Sequence, residues 1–370
     1  MLEESIREIA QSESDDGIVS AYLKLDPKLR YRRKQAAVKF QSEAVRFARD
    51  ATQWQLKALE REKPKILGFL RSRDFLGRTL VIFSSEPAGI WRVLELDVMV
   101  ATAIAVDSRA QVQPLVRFLD ENPRVIVCVV ERDRAAIYTV EGGTVRTESE
   151  IESVVPGWHD QGGWSQARFQ RHIEFHSGVH MDKVVAALEE AAAGLGEASV
   201  FIGGVEDVTA GLMKRLPESL KHRIPGTFQV DFKHQTTQEI MERARLVWVE
   251  AERRSEVAMF EELAADAAAG GRAVLGIRDS AAAVSEGRAH ELVVADGVEA
   301  SGCECTGCGY LSAEQIATCP ACQRPMEPVE DLVDRLVGRA YVEGIRTESV
   351  FGEARHELFA LGGMAARLRY

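Results

Sequence analysis

Apolar positions along this chain fall into two periodicities. From about Asp26 to Arg73, good helix formers dominate, and Ala37, Phe40, Ala44, Phe47 and Ala51 recur at three- and four-residue spacing. This predicts helix, with a break at the Lys63-Pro64 step because proline disfavours helical backbone in the residue before it. Short apolar runs then predict strands at TLVIFS (79–84) and IWRVLEL (90–96), followed by a helix near 109–120. RVIVCVVERD (124–133) reads as a buried strand, followed by RAAIYTVEGG, whose Gly142-Gly143 turn leads into TVRTESE. Two or three consecutive antiparallel strands therefore open a new domain near residue 124.

After a loop from about Val155 to Trp164, Ser165 is placed to N-cap a long helix ending near Leu195. Strand SVFIGG (199–204), a helix near 206–216, strand GTFQVDF (226–232) and a long charged helix from Thr237 to Ala269 follow, the last ending at Gly270-Gly271. The remainder alternates strand 273–277, helix 278–287, strand 290–297, helix 330–344 and a final strand in ALGGMAARLRY. The expected class is α/β in three domains. These are an N-terminal basic-helix α+β domain (1–122), an α/β layer domain (123–255), and a small α/β/α sandwich (256–370) with a cysteine-rich insert at about 303–326.

A chain of 370 residues suits two or three cores better than one. Its 46% hydrophobic and 28% charged residues are globular composition and exclude wholesale disorder. The acidic start MLEESIREIAQSESDD lacks the basic-then-apolar layout of a signal peptide, and no apolar run approaches the ~18 residues of a membrane helix. A soluble, cytoplasmic protein with no membrane partner is expected. The formal charge of −11 argues against a non-specific nucleic-acid coat, but its distribution changes the picture. Lys28 to Arg73 holds 14 Lys/Arg against four acids, +10, leaving −21 on the rest. One end facing a polyanion such as RNA is the reading this asymmetry favours over a merely solvated basic face. Arg32, Arg33 and Lys34 are its densest cluster.

Five of the six cysteines fall between 303 and 322. Cys305-x2-Cys308-x10-Cys319-x2-Cys322 places two CxxC knuckles around one tetrahedral metal, with Gly307, Gly309 and Pro320 as turn residues. Zinc is expected, with iron or an unoccupied redox pair as alternatives. Four thiolates leave no open position, so the metal is structural. Cys303 is either a substitute for Cys305 or a spare thiol. Cys128, inside VIVCVV, reads as a small buried hydrophobe.

The second local signal is QGGWSQARFQRH (161–172). Gly162 and Gly163 allow a ligand close approach to the backbone, and N–H groups just before a helix favour an anion or a developing oxyanion. Trp164, in a polar loop, could stack on a base. Arg168, His172, His176 and His180 repeat every four residues, which reads as one polar stripe facing RNA or solvent; a metal pair at His172 and His176 lacks a third ligand.

At this motif the chain resembles the archaeo-eukaryotic class I release factor and Pelota superfamily, in its bacterial release-factor-like branch. The family's hydrolytic motif is Gly-Gly-Gln followed by Ser-x-x-Arg-Phe-x-Arg, and residues Gly162 to Arg171 match it without a gap except that Trp164 stands at the glutamine. The resemblance implies an RNase H-like central domain, then an α/β/α domain of the kink-turn-binding type that carries a zinc ribbon in some members. It implies a factor that binds ribosome, tRNA and ribosomal RNA in the A site, with a translational GTPase received by the C-terminal domain. Codon recognition is not implied, because residues 1–120 do not resemble the stop-codon-reading domain.

On that resemblance, Gly162, Gly163, Trp164 and Gln166 are the candidate catalytic residues. Arg32, Arg33, Lys34, Ser165, Arg168, Arg171 and His172 are the candidate RNA contacts. Four readings stay open: peptidyl-tRNA hydrolysis in ribosome rescue, a non-catalytic hibernation or stalling plug, tRNA cleavage through Arg168 and His172, and plain RNA binding.

Overall fold

In the computed structural model of the chain, residues 2–26, 28, 29, 32–153 and 166–370 are described, the side chains of 166–174 excepted. The chain divides into two compact units, Met1–Glu121 with Glu256–Tyr370, and Asn122–Ser255. The first unit opens with helix α1 (Leu2–Ala10), strand β1 (Glu13–Lys24), helices α2 (Arg32–Phe47) and α3 (Gln53–Ser72), strands β2 (Thr79–Ser85), β3 (Ile90–Leu96) and β4 (Ala103–Arg109), and helix α4 (Gln113–Glu121).

These strands form an antiparallel sheet ordered β3-β2-β1-β4. Val19, Ala21 and Leu23 on β1 pack with α2 and α3, whereas Ile18 and Tyr22 point to the opposite core. β1 and β4 are absent from the sequence expectation. A central strand covered on both faces is apolar throughout, so Ile18–Leu23 lacks the alternation that marks a half-exposed strand.

The helical break is also displaced. It lies at residues 48–52, where Thr52 and Gln55 form a capping box: the Thr52 hydroxyl accepts from the Gln55 N–H at 3.3 Å, and the Gln55 side chain accepts from the Thr52 N–H at 2.8 Å. Pro64 sits inside α3. It is exposed, so water can serve the carbonyl whose helical donor proline removes.

The second unit contains strands β5 (Val125–Val130), β6 (Arg134–Glu141) and β7 (Thr144–Glu152), helix α5 (Gln166–Leu195), strand β8 (Ser199–Gly204), helices α6 (Glu206–Arg215) and α7 (Glu218–Lys221), strand β9 (Gly226–Phe228), and the start of helix α8 (Thr237–Ala268). The sheet order is β7-β6-β5-β8-β9; β5, β6 and β7 form an antiparallel meander, and β8 and β9 run parallel to β5. Alternation on β5 divides the two cores. Ile126, Cys128 and Val130 pack with α5 and α6, while Val125, Val127 and Val129 pack with α8. β9 stops earlier than the apolar run suggested. An Asp231 turn ends it, with the Asp231 carboxylate accepting from the Lys233 N–H at 3.2 Å.

The remaining part of the first unit holds β10 (Ala273–Leu275), α9 (Ile277–Ser285), β11 (Ala289–Ala295), β12 (Gly302–Cys305), β13 (Leu311–Ser312), β14 (Met326–Val329), α10 (Leu332–Glu343), β15 (Arg346–Val350), α11 (Gly352–Ala360) and β16 (Met364–Leu368). Its main sheet is ordered β10-β16-β11-β15, and a small sheet β13-β12-β14 carries the cysteines. One continuous core joins Ile6 and Ile9 of α1, Tyr22 and Phe83 of the first sheet, and Leu292, Leu336 and Val337 of the last part. Among the described residues no helix is long and apolar enough to cross a membrane.

Candidate functional site

The cysteine cluster is assembled by two turns of the same design. In the first, the Gly309 N–H donates to the Cys305 carbonyl at 3.0 Å, and in the second the Gln323 N–H donates to the Cys319 carbonyl at 3.0 Å. Each turn ends on a left-handed residue four positions after its first cysteine, Gly309 at φ +69° and Gln323 at φ +63°. Gln323 is the only non-glycine residue with positive φ among the described residues. Strain of this kind persists where the surroundings demand it, and here the second knuckle demands it. The spacing of the two CxxC pairs could have located it; residue type could not.

The four sulfurs of Cys305, Cys308, Cys319 and Cys322 lie within 4.8 Å of one another. Cys305 and Cys322 are 3.4 Å apart and Cys308 and Cys319 3.6 Å, far beyond a disulfide bond. A tetrahedron with Zn–S bonds of about 2.3 Å has sulfurs roughly 3.8 Å apart, so the donor set fits a four-thiolate metal.

The thiols themselves favour a cation. Burial opposes the Cys305 thiolate, but N–H groups of Cys308 and Gly307 and the neighbouring thiols outweigh it and draw the group down to about 6. At Cys308 a backbone N–H from Tyr310 favours the thiolate, yet the other cysteines outweigh it and push the group up to about 12. One anion forms readily and the next is opposed by it, until a cation neutralises them. Cys303 stands outside the cluster, its thiol 3.1 Å from the Glu314 carbonyl, and is a spare thiol. Cys128 is fully buried, and burial pushes its thiol up to about 12.

Gly162, Gly163, Trp164 and Ser165 lie outside the described residues. Gln166, Arg168, Arg171 and His172 fall in the first turns of α5. The expected polar stripe does not persist along that helix: His176 is half-buried and His180 is fully buried, with its Nδ1 3.0 Å from the Ser153 hydroxyl. A four-residue repeat drifts about 40° per step on a 3.6-residue helix, which carries His180 round into the core. Burial pulls its imidazole below the ordinary value.

On the basic helices, Arg32 donates to the carbonyls of Leu76 and Gly77, and Arg33 lies 4.0 Å from Asp74, so both are tied to the loop before β2. Lys34 is exposed. Trp54, Lys57, Arg61 and Lys65 share one face of α3 by register. Trp54 is 41% exposed. Arg61 is held by Asp16 and Glu62. Glu62 is a buried carboxylate that anchors this helix, accepting from the Ser84 hydroxyl at 2.6 Å and the Glu86 N–H at 2.8 Å. Burial works against its charge, but these donors and Arg61 outweigh it and hold its pKa below the usual value. Sequence reasoning missed Trp54 and Glu62, which sit among good helix formers without a pattern of their own.

Residues 111–247 match the model of a family described as bacterial archaeo-eukaryotic release factor family 10. The chain is 27% identical over 285 residues to peptide chain release factor subunit 1 of Archaeoglobus fulgidus, covering 71% of this chain and 70% of that one. It is 25% identical over 296 residues to the protein of the same name from Methanocaldococcus jannaschii, again 71% and 70%. Among solved structures, S. cerevisiae Dom34, titled a translation termination-like factor, aligns over 100% of this chain and 92% of its own at 10% identity, with a TM-score of 0.42. The chain is thus similar to the archaeo-eukaryotic release factors, through the family model over residues 111–247 and through peptide chain release factor subunit 1 over 71% of its length.

Proposed function

We propose that this protein is a cytoplasmic, ribosome-associated translation factor that enters the A site and presents the Gly162-Gly163-Trp164 loop to the peptidyl-transferase centre. One observation carries the reading. The ten residues Gly162 to Arg171 follow the release-factor motif with a single replacement, inside the segment the family model matches, and run into the first turns of the 30-residue helix α5. Backbone N–H groups of the loop would hold a water or an oxyanion beside the peptidyl-tRNA ester. Ser165, Arg168, Arg171 and His172 would contact RNA, with arginines on phosphates. The basic helices around Arg32, Arg33 and Lys34 would add salt-dependent grip on tRNA or ribosomal RNA. Gln166 is the nearest side-chain amide to the position Trp164 occupies.

The sheet order of residues 122–255 supports the RNase H-like reading of a central domain at 123–255, flanked by domains at 1–122 and 256–370. The last of these would be the kink-turn-binding type and the receiver of a translational GTPase. Zinc at Cys305, Cys308, Cys319 and Cys322 would be structural: when bound it supplies a cross-link between the two knuckles and no open coordination position.

A second reading is favoured by Trp164 itself. The indole replaces the amide that a hydrolase would use, so a non-catalytic hibernation or stalling plug stacked on the tRNA 3′ end fits the same dock. A nuclease acting on tRNA is the third outcome. The test is incubation with ribosomes carrying labelled peptidyl-tRNA, following co-sedimentation, free peptide and tRNA length together. Binding with free peptide and intact tRNA supports the hydrolase; binding with a shortened tRNA end supports the nuclease; binding with neither supports the plug. No binding, with or without a GTPase, overturns the assignment. Trp164→Ala is expected to abolish the plug and to reduce hydrolysis less if the backbone does the work.

A further inference from the structure

Away from the release-factor motif, α1, β4, β12 and α10 of the first unit line a half-open cavity of about 340 Å3. That is the small end of the range for ligand pockets. Its lining includes three guanidinium groups, Arg109, Arg335 and Arg339, with Glu304, Asp334 and Glu343. Arg339 is fully engaged: it donates to the Gly309 and Ser285 carbonyls at 2.6 and 3.2 Å and to Glu343 at 2.7 Å.

The other two are not. Arg335 is only 7% exposed. Its Nη2 donates to Asp107 at 2.5 Å and to the Ser108 hydroxyl at 2.6 Å, and its Nη1 stands 3.6 Å from Glu304, outside hydrogen-bond reach. Its Nε and Nη1 are buried with no hydrogen-bond partner, and so is Nε of Arg109, whose Nη2 pairs with Glu304 at 3.0 Å. Among the described residues five buried side-chain polar atoms lack partners, and three of the five are these guanidinium nitrogens. Buried donors are normally satisfied, and a guanidinium N–H without an acceptor is costly.

We infer that this cavity is a binding site for a small phosphoryl oxyanion, inorganic phosphate or the monoester of a mononucleotide, held by the unpaired N–H groups of Arg335 and Arg109. The fixed fork of guanidinium donors matches the geometry of phosphate oxygens, and one tetrahedral anion can accept from all three such donors. The draw on an anion comes from these directed donors and not from net charge, since Asp107, Glu304 and Glu343 balance Arg335, Arg109 and Arg339. Glu304 and Glu343 are each spoken for by Arg109 and Arg339. Burial, with Asp331 and Asp107 nearby, pushes the Asp334 carboxyl up to about 8 against the Gln113 N–H and Arg335, so at pH 7 it is largely protonated. The inference is independent of the ribosomal reading, since no residue of it belongs to the 162–172 segment.

The test is equilibrium dialysis of the full chain at pH 7 against radiolabelled inorganic phosphate, ionic strength held with chloride, and in parallel against AMP and a dinucleotide phosphodiester. One phosphate or AMP per chain, bound saturably, is expected. Arg335→Lys, which keeps the charge but loses the fork, is expected to weaken binding at least tenfold. Arg109→Gln, on a partly exposed side chain, should weaken it severalfold, and decides the matter if the Arg335 variant fails to fold. Tighter AMP than phosphate would identify a mononucleotide ligand; the reverse would identify free phosphate. The inference is overturned by no saturable binding of either, by affinities that both variants leave unchanged, or by binding of the diester alone, which would make the site an RNA-backbone contact.

Discussion

Two polar clusters meet at the same cavity of the first unit and are built in opposite ways. Cys305, Cys308, Cys319 and Cys322 come from one short stretch of chain, closed by two turns of one design. The cluster of Arg335, Asp107, Ser108, Arg109 and Glu304 is drawn from α10, β4 and β12, and 228 residues separate Arg335 from Asp107. Thiolates formed there would share one sign, and a cation from outside would be required to hold all four. The arginines bring their counter-charges with them and are left with spare donors instead. Each cluster therefore fails differently when a partner is removed.

The largest effect is expected from metal removal. Structural four-thiolate zinc contributes about 10 kcal/mol or more of apparent binding free energy, much of it as folding free energy. Cys319→Ser or a strong chelator should release one metal ion per chain and remove amide-exchange protection from β12–β14, while β5 and β8 of the second unit stay protected. Metal content and exchange rates check this, and a chain purified without metal whose ribbon is still protected would refute the four-thiolate centre.

A smaller loss follows from breaking the second cluster. Arg335→Met removes a buried guanidinium and leaves the half-buried Asp107 and the Ser108 hydroxyl without their donor, and should cost about 1.5–3 kcal/mol in urea unfolding. Adding Asp107→Leu should restore much of that loss, because an apolar pair replaces an ion pair at little net cost. No such rescue is available to the cysteines, and that contrast sharpens the comparison.

The most gradual effect, smallest per unit, is one of pH. The folded chain keeps a proton on Asp334 up to about pH 8, whereas the unfolded carboxyl loses it near its ordinary value of 3.8. Unfolding thus releases a proton between these limits, so stability falls as pH rises from 5 to 8, at no more than about 1.4 kcal/mol per unit. Above the folded pKa the slope vanishes. Asp334→Asn should flatten the dependence, as thermal melts at pH 5.5, 7 and 8.5 would reveal.

How much of this was legible follows from how each feature is built. Strands β2, β3, β5, β6 and β8 and helices α5 and α8 stand close to their expected places, since each is a long run with one period or one apolar block. β1 was invisible for the same reason that it is central: covered on both faces, Ile18–Leu23 has no alternation to detect. The break between α2 and α3 was placed at Pro64, whereas the Thr52-x-x-Gln55 capping box set it twelve residues earlier. That signal was present and outweighed by the proline. At the sites, the cysteine spacing needed no tertiary information, but His180 looked like surface until the helix drift turned it inward.

Neighbours along the chain set the thiol knuckles, the basic segment, the motif from Gly162 to Arg171, and most of the elements. Which charges are buried, and with whom, depends on packing between distant elements. Glu62 meets Ser84 and Glu86, Arg335 meets Asp107, and Cys303 is left outside the thiol cluster. Periodicity and spacing act over a few residues, and local backbone geometry transmits them. Desolvation and charge pairing act through space, so their outcome exists only once distant strands and helices have packed.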